Sequence, residues 1–506
     1  MSPPLIPRRP RWALLAFLAL GLALAFQGSR GIWRPDEGYY LTVASQMART
    51  GDWLVPRLNV NIFLEKPPLT YWGALVGFKL LGVNGWGGRL FNGLCFFLTV
   101  LLVALLGRRL WGRRVGFTAG AVYLTLSLPF FASNIITPDT PLTLCVAAMW
   151  AFFYIGLRDK DRTWALALSG AAVGFGILAK GPAILIFGAP LVLYLFRRGQ
   201  VIRTLKSPGL YLGASLALGI GGSWYGWLGT HVPGSWDYIL KDQVTGRLLT
   251  AQYRRNPGWF GWTIYPAVLL AGGLPWSPAW LWGRQGLKGL PVRAWRRNPR
   301  LWFLALLILV PLTVLCLAQS RLPLYVLPLF IPLALLSGRQ MVGWHRMGLF
   351  PKLFLNWKPI LGGWVVFLLV LKLGAAWVPT AQDLRSLWGE INENPESTRT
   401  LVLTDQRDEG LGYYVKRELE TVMFDTIPYP TFQPPDFQDL GLAKLFVGGN
   451  PRSYLISKDR LPYFLALLSR YGVVWTRDLS FNRCLVTCTP PNNSDRAPAG
   501  RTENPK

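Results

Sequence analysis

This 506-residue chain is poor in histidine and in acid: it has 2 His, and 25 Asp and Glu against 53 Lys and Arg, for a net charge of +28. Charge of either sign is scarce at 15%, while 51% of residues are hydrophobic, and an ordinary soluble protein has about a quarter of its residues charged. The basic excess alone would suggest nucleic acid, but no recognition module is visible, so none is expected as a partner. Of the five cysteines, Cys95, Cys145 and Cys316 lie in apolar runs and read as small buried residues. Cys484 and Cys488 lack a second pair or a neighbouring histidine, which argues against zinc. A disulfide between them would need a turn, since one continuous strand holds them too far apart, and the sequence leaves that pairing open. No small-residue cleavage site follows the first apolar run, which therefore reads as a retained helix rather than a signal peptide.

What the chain does have is repeated apolar runs of bilayer length, the mark of a polytopic α-helical membrane protein. They fall near residues 12–26, 90–106, 117–132, 141–157, 164–179, 182–196, 210–228, 263–282, 301–317, 323–336 and 360–378. That is about eleven transmembrane spans. The Lys and Arg clusters lie on one side of this alternation, as the positive-inside bias requires, which accounts for the net charge. Placing Arg8, Arg9 and Arg11 in the cytoplasm puts residues 32–72 on the outer face. After Pro379, Asp, Glu, Asn and Thr become common and no further run is long enough to span. Residues 1–379 thus read as a membrane domain and 380–489 as a small extracytoplasmic α/β domain. TLVLTD is its first expected strand, and a helix is expected through GLGYYVKRELE. A strand at 442–447, a helix at 462–471, and strands GVVWTRD and RCLVTC should complete it. Residues 490–506, rich in Pro, Asn, Ser and charge, are expected to be disordered.

The loop at 32–72 is too long for a simple connection and too rich in aromatics for disorder. It carries Asp36 and Glu37 at the start of an apparent helix, and Glu65 and Lys66 in EKPP. Taken singly, Asp36 is a first-turn acid favoured by the helix dipole, and Lys66 a snorkelling lysine. Lys66 also stands before a helix N-terminus, where amide donors and an ammonium together suit a phosphate. Asp139 in TPDTP and Lys180 in LAKGP are charges near membrane depth, candidates by default unless paired. A second outer loop supplies Arg247, and QSRLPLYVLP supplies Arg321 and Tyr325, both residue types also expected at headgroup level. Taken together, acids at 36, 65 and 139 and cations at 66, 247 and 321 fall on the expected outer face. Transfer from a phosphate-linked donor needs that mixture: cations for the leaving phosphate and a carboxylate for the nucleophile's proton. No Gly-rich nucleotide cradle is present in these segments, so the donor suggested is one anchored in the membrane.

The ordered set RPDEGYYLTVASQMARTGDWLVPRLNVNIFLEKPPLTYW, TPDTP, LAKGP, DQVTGRLL and SRLPLYVLP resembles the polyprenyl-phosphate-sugar-dependent glycosyltransferases of the membrane glycosyltransferase C fold. That family includes protein O-mannosyltransferases and the lipid A aminoarabinose transferase, and GDWLVPRLN and EKPPLTYW bring this chain nearer the second branch. The likeness spans residues 8–378. It implies an integral membrane enzyme, in a bacterial plasma membrane, with its catalytic loops outside the cytoplasm. Its expected partners are membrane lipids, a polyprenyl-phosphate-linked sugar and a lipid, glycan or protein acceptor. Carried over by motif, Asp36 is the essential acid, with Glu37 beside it and Asp139 a second acid of the cavity. Lys66, Arg247, Tyr325 and Arg321 meet the donor phosphate, and Glu65 and Lys180 support them. Glu65 and a second-loop histidine hold a divalent metal in some relatives, but here Gln243 takes the histidine's place and His231 lies upstream. No cofactor is therefore assigned, and Glu65 stays a metal candidate. The rival from another class, a flippase of lipid-linked sugars, would concentrate its polar residues near the bilayer midplane.

Overall fold

The computed structural model describes residues 11–489 apart from 60, 159–162, 247–254, 259, 281–297, 348–356, 379, 395–398, 405–407, 418, 423–450 and 469–472. Arg247, the expected strand at 442–447 and the tail 490–506 lie outside the described residues. The first part is helical: α1 (Trp12–Leu24), α2 (Asp36–Thr50), α3 (Leu69–Leu81), α4 (Gly85–Trp111), α5 (Arg113–Thr125), α6 (Ser127–Ala132), α7 (Asp139–Arg158), α8 (Thr163–Lys180), α9 (Ile184–Arg198), α10 (Val201–Leu205) and α11 (Pro208–His231). The helices Phe260–Gly272, Pro299–Leu317, Phe330–Met347 and Trp357–Gly374 follow. Among the described residues, five helical stretches are long and apolar enough to cross a membrane: Gly85–Trp111, Asp139–Arg158, the broken run Thr163–Arg198, Pro299–Leu317 and Pro323–Arg346. Large apolar side chains such as Phe17, Leu218 and Leu317 point outward, an arrangement that suits lipid. The helix after EKPP, α3, has 13 residues, about 20 Å of rise, and is short for a full crossing.

Between α1 and α3 the chain forms α2 and a two-stranded antiparallel ribbon, β1 (Arg57–Leu58) with β2 (Asn61–Ile62). Asp52 accepts hydrogen bonds from the Leu54 and Val55 amides, and the Trp72 indole donates to the Trp53 carbonyl at 2.7 Å. The long loop is therefore a folded layer, as its aromatics imply.

Beyond the helices, the described residues form a five-stranded sheet of β3 (Leu401–Thr404), β4 (Glu420–Val422), β5 (Arg452–Ser457), β6 (Val473–Leu479) and β7 (Arg483–Thr489), in the order β4-β3-β5-β7-β6. β3 runs parallel to β4 and β5, while β7 is antiparallel to β5 and β6. Where a helix is expected through GLGYYVKRELE, it stops at Val415 and Glu420 opens β4: pairing with β3 outweighs local helix propensity. Cys484 and Cys488 sit on the single strand β7, both buried and free. At about 3.3 Å per residue they are roughly 13 Å apart, too far to bond to each other.

The alternation along these strands divides the sheet between two cores. Val402, Tyr454, Ile456, Cys484 and Val486 pack beneath the helix Leu461–Leu468, with Phe464 and Leu468. Leu401, Leu403, Leu455 and Leu485 face the other way, into one core with Tyr40, Leu41, Ala44, Tyr71 and Leu75 of α2 and α3. The sheet thus closes over the first loop. Backbone pairing between Trp33 and Asp383, and the ion pairs of Asp408 with Arg34 and Arg483, both at 2.7 Å, fasten the junction. At its centre Gly38 meets Gly410: a Cβ on Gly38 would lie 2.9 Å from the Gly410 Cα, and one on Gly410 would lie 2.6 Å from the Gly38 Cα. Gly410→Ala should loosen this contact by about 1–3 kcal/mol. The expected readout is faster protease cleavage after residue 380, while the membrane helices stay protected; an unchanged cleavage rate would contradict the close approach.

Candidate functional site

The most constrained side chain is Glu37, in the first turn of α2, where the helix dipole favours an acid. It is 2% exposed and carries two guanidinium groups. Arg30 donates at 2.6 and 3.1 Å, and Arg89, from α4, at 2.8 and 2.9 Å. The amides of Trp33 at 3.0 Å and Ile136 at 3.3 Å complete its shell. Arg30 also grips the Asn134 side chain and carbonyl, and Arg89 donates to the carbonyls of Gln27 and Gly31. Burial pushes the Glu37 carboxyl up, but the two guanidiniums prevail and hold it at about 2. This corrects the expectation that Glu37 acts beside Asp36: its oxygens are saturated and enclosed, and its role is to fix the chain.

Asp36, one residue earlier and about 100° round the helix, is exposed and makes no side-chain hydrogen bond among the described residues. One turn on, Tyr40 is buried against Tyr71, with ring centroids 5.7 Å apart. Burial first, then the fields of Tyr71, Asp36, Asp139 and Glu65, push the Tyr40 phenol well above its usual range. Those acids therefore share one neighbourhood, although they come from α2, α7 and the EKPP turn. Tyr39 is raised by burial and then by Glu409, Asp36, Glu65 and Asp408. Glu65 and Lys66 are half-buried just before α3, where Pro67 and Pro68 set the entry to the helix.

Asp139 opens α7 and Lys180 closes α8. Because these helices form an antiparallel hairpin, the first residue of one meets the last of the other: Lys180 Nζ lies 2.5 Å from Asp139 Oδ1. Gly181, at φ +63°, turns the chain away directly after Lys180. Tyr325, in the short helix Pro323–Leu329, stacks under the ammonium at 4.1 Å. Asp139, Lys180 and Tyr325 are thus one cluster.

Arg321 departs from expectation. Its guanidinium donates to the carbonyls of Cys316, Asn256, Pro257 and Gly258 and lies 4.9 Å from the Trp262 ring centroid. It is 5% exposed and ties the C-terminus of the helix Pro299–Leu317 to residues 256–258, so its donors are directed at backbone rather than at a ligand. Gln243 donates to the Tyr238 hydroxyl, and His231 stacks on Trp227 with Nδ1 near the Trp227 carbonyl. No set of three or more His, Cys, Asp or Glu side chains converges as metal ligands among the described residues.

Sequence reasoning missed Arg30, Arg89 and Glu409. Arg89 left a signal, a cation at the edge of an apolar run that must be paired when buried. Glu409 left none, because its position depends on the sheet docking on α2.

Residues 65–227 match the family described as dolichyl-phosphate-mannose-protein mannosyltransferase. The chain is 31% identical over 347 residues to the undecaprenyl phosphate-alpha-4-amino-4-deoxy-L-arabinose arabinosyl transferase 2 of Pseudomonas fluorescens, covering 66% of this chain and 56% of that protein. It is 31% identical to the corresponding transferase of Pseudomonas aeruginosa, over 67% of this chain and 61% of that one. In both cases it spans less than two thirds of the relative's length. In fold it is similar to ArnT from Cupriavidus metallidurans bound to undecaprenyl phosphate, with a TM-score of 0.74 at 20% identity, over 94% of this chain and 97% of that one. The Archaeoglobus fulgidus oligosaccharyltransferase tethered with an acceptor peptide follows at 0.52 and 12% identity, over 95% and 74% of the two chains. The resemblance read from the motifs is borne out, and the fold is the membrane glycosyltransferase C fold. None of these relatives is described as a transporter, so the flippase alternative finds no support.

Glu37→Gln should cost about 3–5 kcal/mol, because it leaves Arg30 and Arg89 buried without their counter-charge. Glu37 also sets an acid limit. Its stabilising contribution is complete above the ordinary value of 4.5 and is lost as pH falls towards about 2. Thermal unfolding in detergent should show both effects; a variant as stable as wild type would refute the assignment.

Proposed function

We propose, for a chain with the motifs and fold of the polyprenyl-phosphate-sugar-dependent membrane glycosyltransferases, that it transfers a sugar from a polyprenyl-phosphate donor to a lipid, glycan or protein acceptor. One observation carries the reading: Asp139 and Lys180, distant in sequence, meet over Tyr325, and the charges of Asp36, Glu65 and Asp139 all act on the buried Tyr40 phenol. Charges gathered at one end of the apolar helices suit an enzyme working at the membrane surface. The relatives' names add a donor lipid of the undecaprenyl or dolichyl phosphate type and a pentose or hexose as cargo.

In this reading Asp36 is the base. It takes the proton from the acceptor's nucleophile as that atom attacks the anomeric carbon from the face opposite the phosphate. The bond from anomeric carbon to phosphate oxygen breaks, the electron pair leaves with the lipid phosphate, and the configuration inverts. Lys66, at the foot of α3, and Arg247, assigned from the DQVTGR motif, meet the growing negative charge. Asp139 fixes the Lys180 ammonium over Tyr325, which completes that wall of the cavity. Glu65 supports the site beside Lys66. Arg321 serves as a staple of the loop, as its carbonyl contacts indicate.

We further propose about eleven crossings, with the first loop and the 380–489 domain on the extracytoplasmic side of a bacterial plasma membrane. The domain then roofs the cavity where donor and acceptor meet.

Purified protein in liposomes, supplied with labelled polyprenyl-phosphate sugars and envelope extract, tests the reading. Wild type should move label to a product, whereas Asp36→Asn and Lys66→Ala should each lose at least about 100-fold in rate with unchanged melting. Transfer retained by both variants would sink the assignment of these residues.

A further inference from the structure

Glu409 belongs to no motif of the resemblance and lies in the segment leading from β3 to β4, yet it sits against the first loop. The turn that carries it is fastened on both sides. Asp408, the preceding residue, is bound by Arg34 and Arg483, and Gly410, the next, abuts Gly38 in the first turn of α2. The Glu409 carbonyl accepts from Thr42 Oγ1 at 3.4 Å. Glu409 is 7% exposed, yet its carboxyl oxygens are not among the fully enclosed side-chain atoms left without a partner. Burial of this kind disfavours the charged form of a carboxyl. Among the described residues, the ionisable groups that interact with it are Glu65 from the EKPP turn, Tyr39 from α2, and Asp408 beside it, whose charge Arg34 and Arg483 already take up.

We infer that Glu409 is a further binding residue of this site, a hydrogen-bond donor across from Glu65 that selects a hydroxyl of the bound sugar. The inference rests on the transferase reading above. Burial, then Glu65 and then Asp408, push this carboxyl up to about 8, so at neutral pH it keeps its proton and can donate. Glu65, opposite, offers an acceptor, and a sugar hydroxyl both accepts and donates, so the pair can hold one hydroxyl from two sides. The C-terminal sheet would thereby contribute to sugar selection as well as to covering the loop.

The test is binding of a labelled polyprenyl-phosphate-linked pentose to the full-length protein in liposomes between pH 6 and 9, for wild type, Glu409→Gln and Glu409→Ala, with melting recorded for each. Glu409→Gln keeps a neutral donor and should bind like wild type at pH 7. Glu409→Ala should bind roughly 5- to 10-fold more weakly. Wild-type affinity should fall as pH rises through about 8, and this fall should be absent in Glu409→Gln. Wild-type affinity in Glu409→Ala, equal losses in both variants, or an alkaline fall that survives in Glu409→Gln would overturn the inference. A wild type that binds no such donor would instead overturn the transferase reading, and this inference with it.

Discussion

A single carboxylate holds the first loop in place. Glu37 lies where α2 starts, and its two guanidinium partners reach it from the chain before α2 and from α4, while the amide of Ile136 closes the shell from the segment before α7. One acid therefore joins segments more than fifty residues apart. Two cations against one anion leave the cluster positive, and the carbonyls of Gln27, Gly31 and Asn134 absorb the remaining donors. Burying such a cluster contributes little net stability against an apolar alternative, but removing one member is expensive. Its value lies in geometry. With Glu37 anchored, Asp36 is turned out of the core, and α2 enters at a fixed angle to α3 and α4.

The second constraint is the sheet's contact with that same helix. Leu401, Leu403 and Leu455 complete the core that Tyr40, Leu41 and Ala44 begin, and Gly38 against Gly410 allows the backbones to touch. The loop is thus enclosed between membrane helices and sheet. A sheet docked in this way can place side chains against the first loop, and the position of Glu409 follows from that.

Much of this was legible beforehand. Apolar runs located the long helices, and the charges of EKPP, TPDTP and LAKGP marked segments that the fold brings together at Tyr40 and Tyr325. The hairpin of α7 and α8 made the meeting of Asp139 and Lys180 a matter of helix length. Other features were hidden for physical reasons. α2 is buried on nearly every side, by residues as distant as Leu384 and Leu411, so no apolar stripe separated Glu37 from Asp36. Arg321 carries the composition of a headgroup-level residue, and only the tertiary course of residues 256–258 shows that carbonyls claim it. The helix expected through GLGYYVKRELE stops at Val415, and Glu420 opens β4, because pairing with β3 is a tertiary contact that local propensity does not show.

The account's central claim is that donor lipid phosphate and sugar meet between α2, the EKPP turn and the Lys180–Tyr325 cluster. Photo-crosslinking tests this most directly: a polyprenyl-phosphate sugar with a photoreactive group on its ring, activated on the reconstituted protein, and mapped by peptide mass spectrometry. The account predicts label on residues 36–40, 65–72 and 323–329. Label confined to the middle of the long apolar helices, with those segments bare, would contradict it.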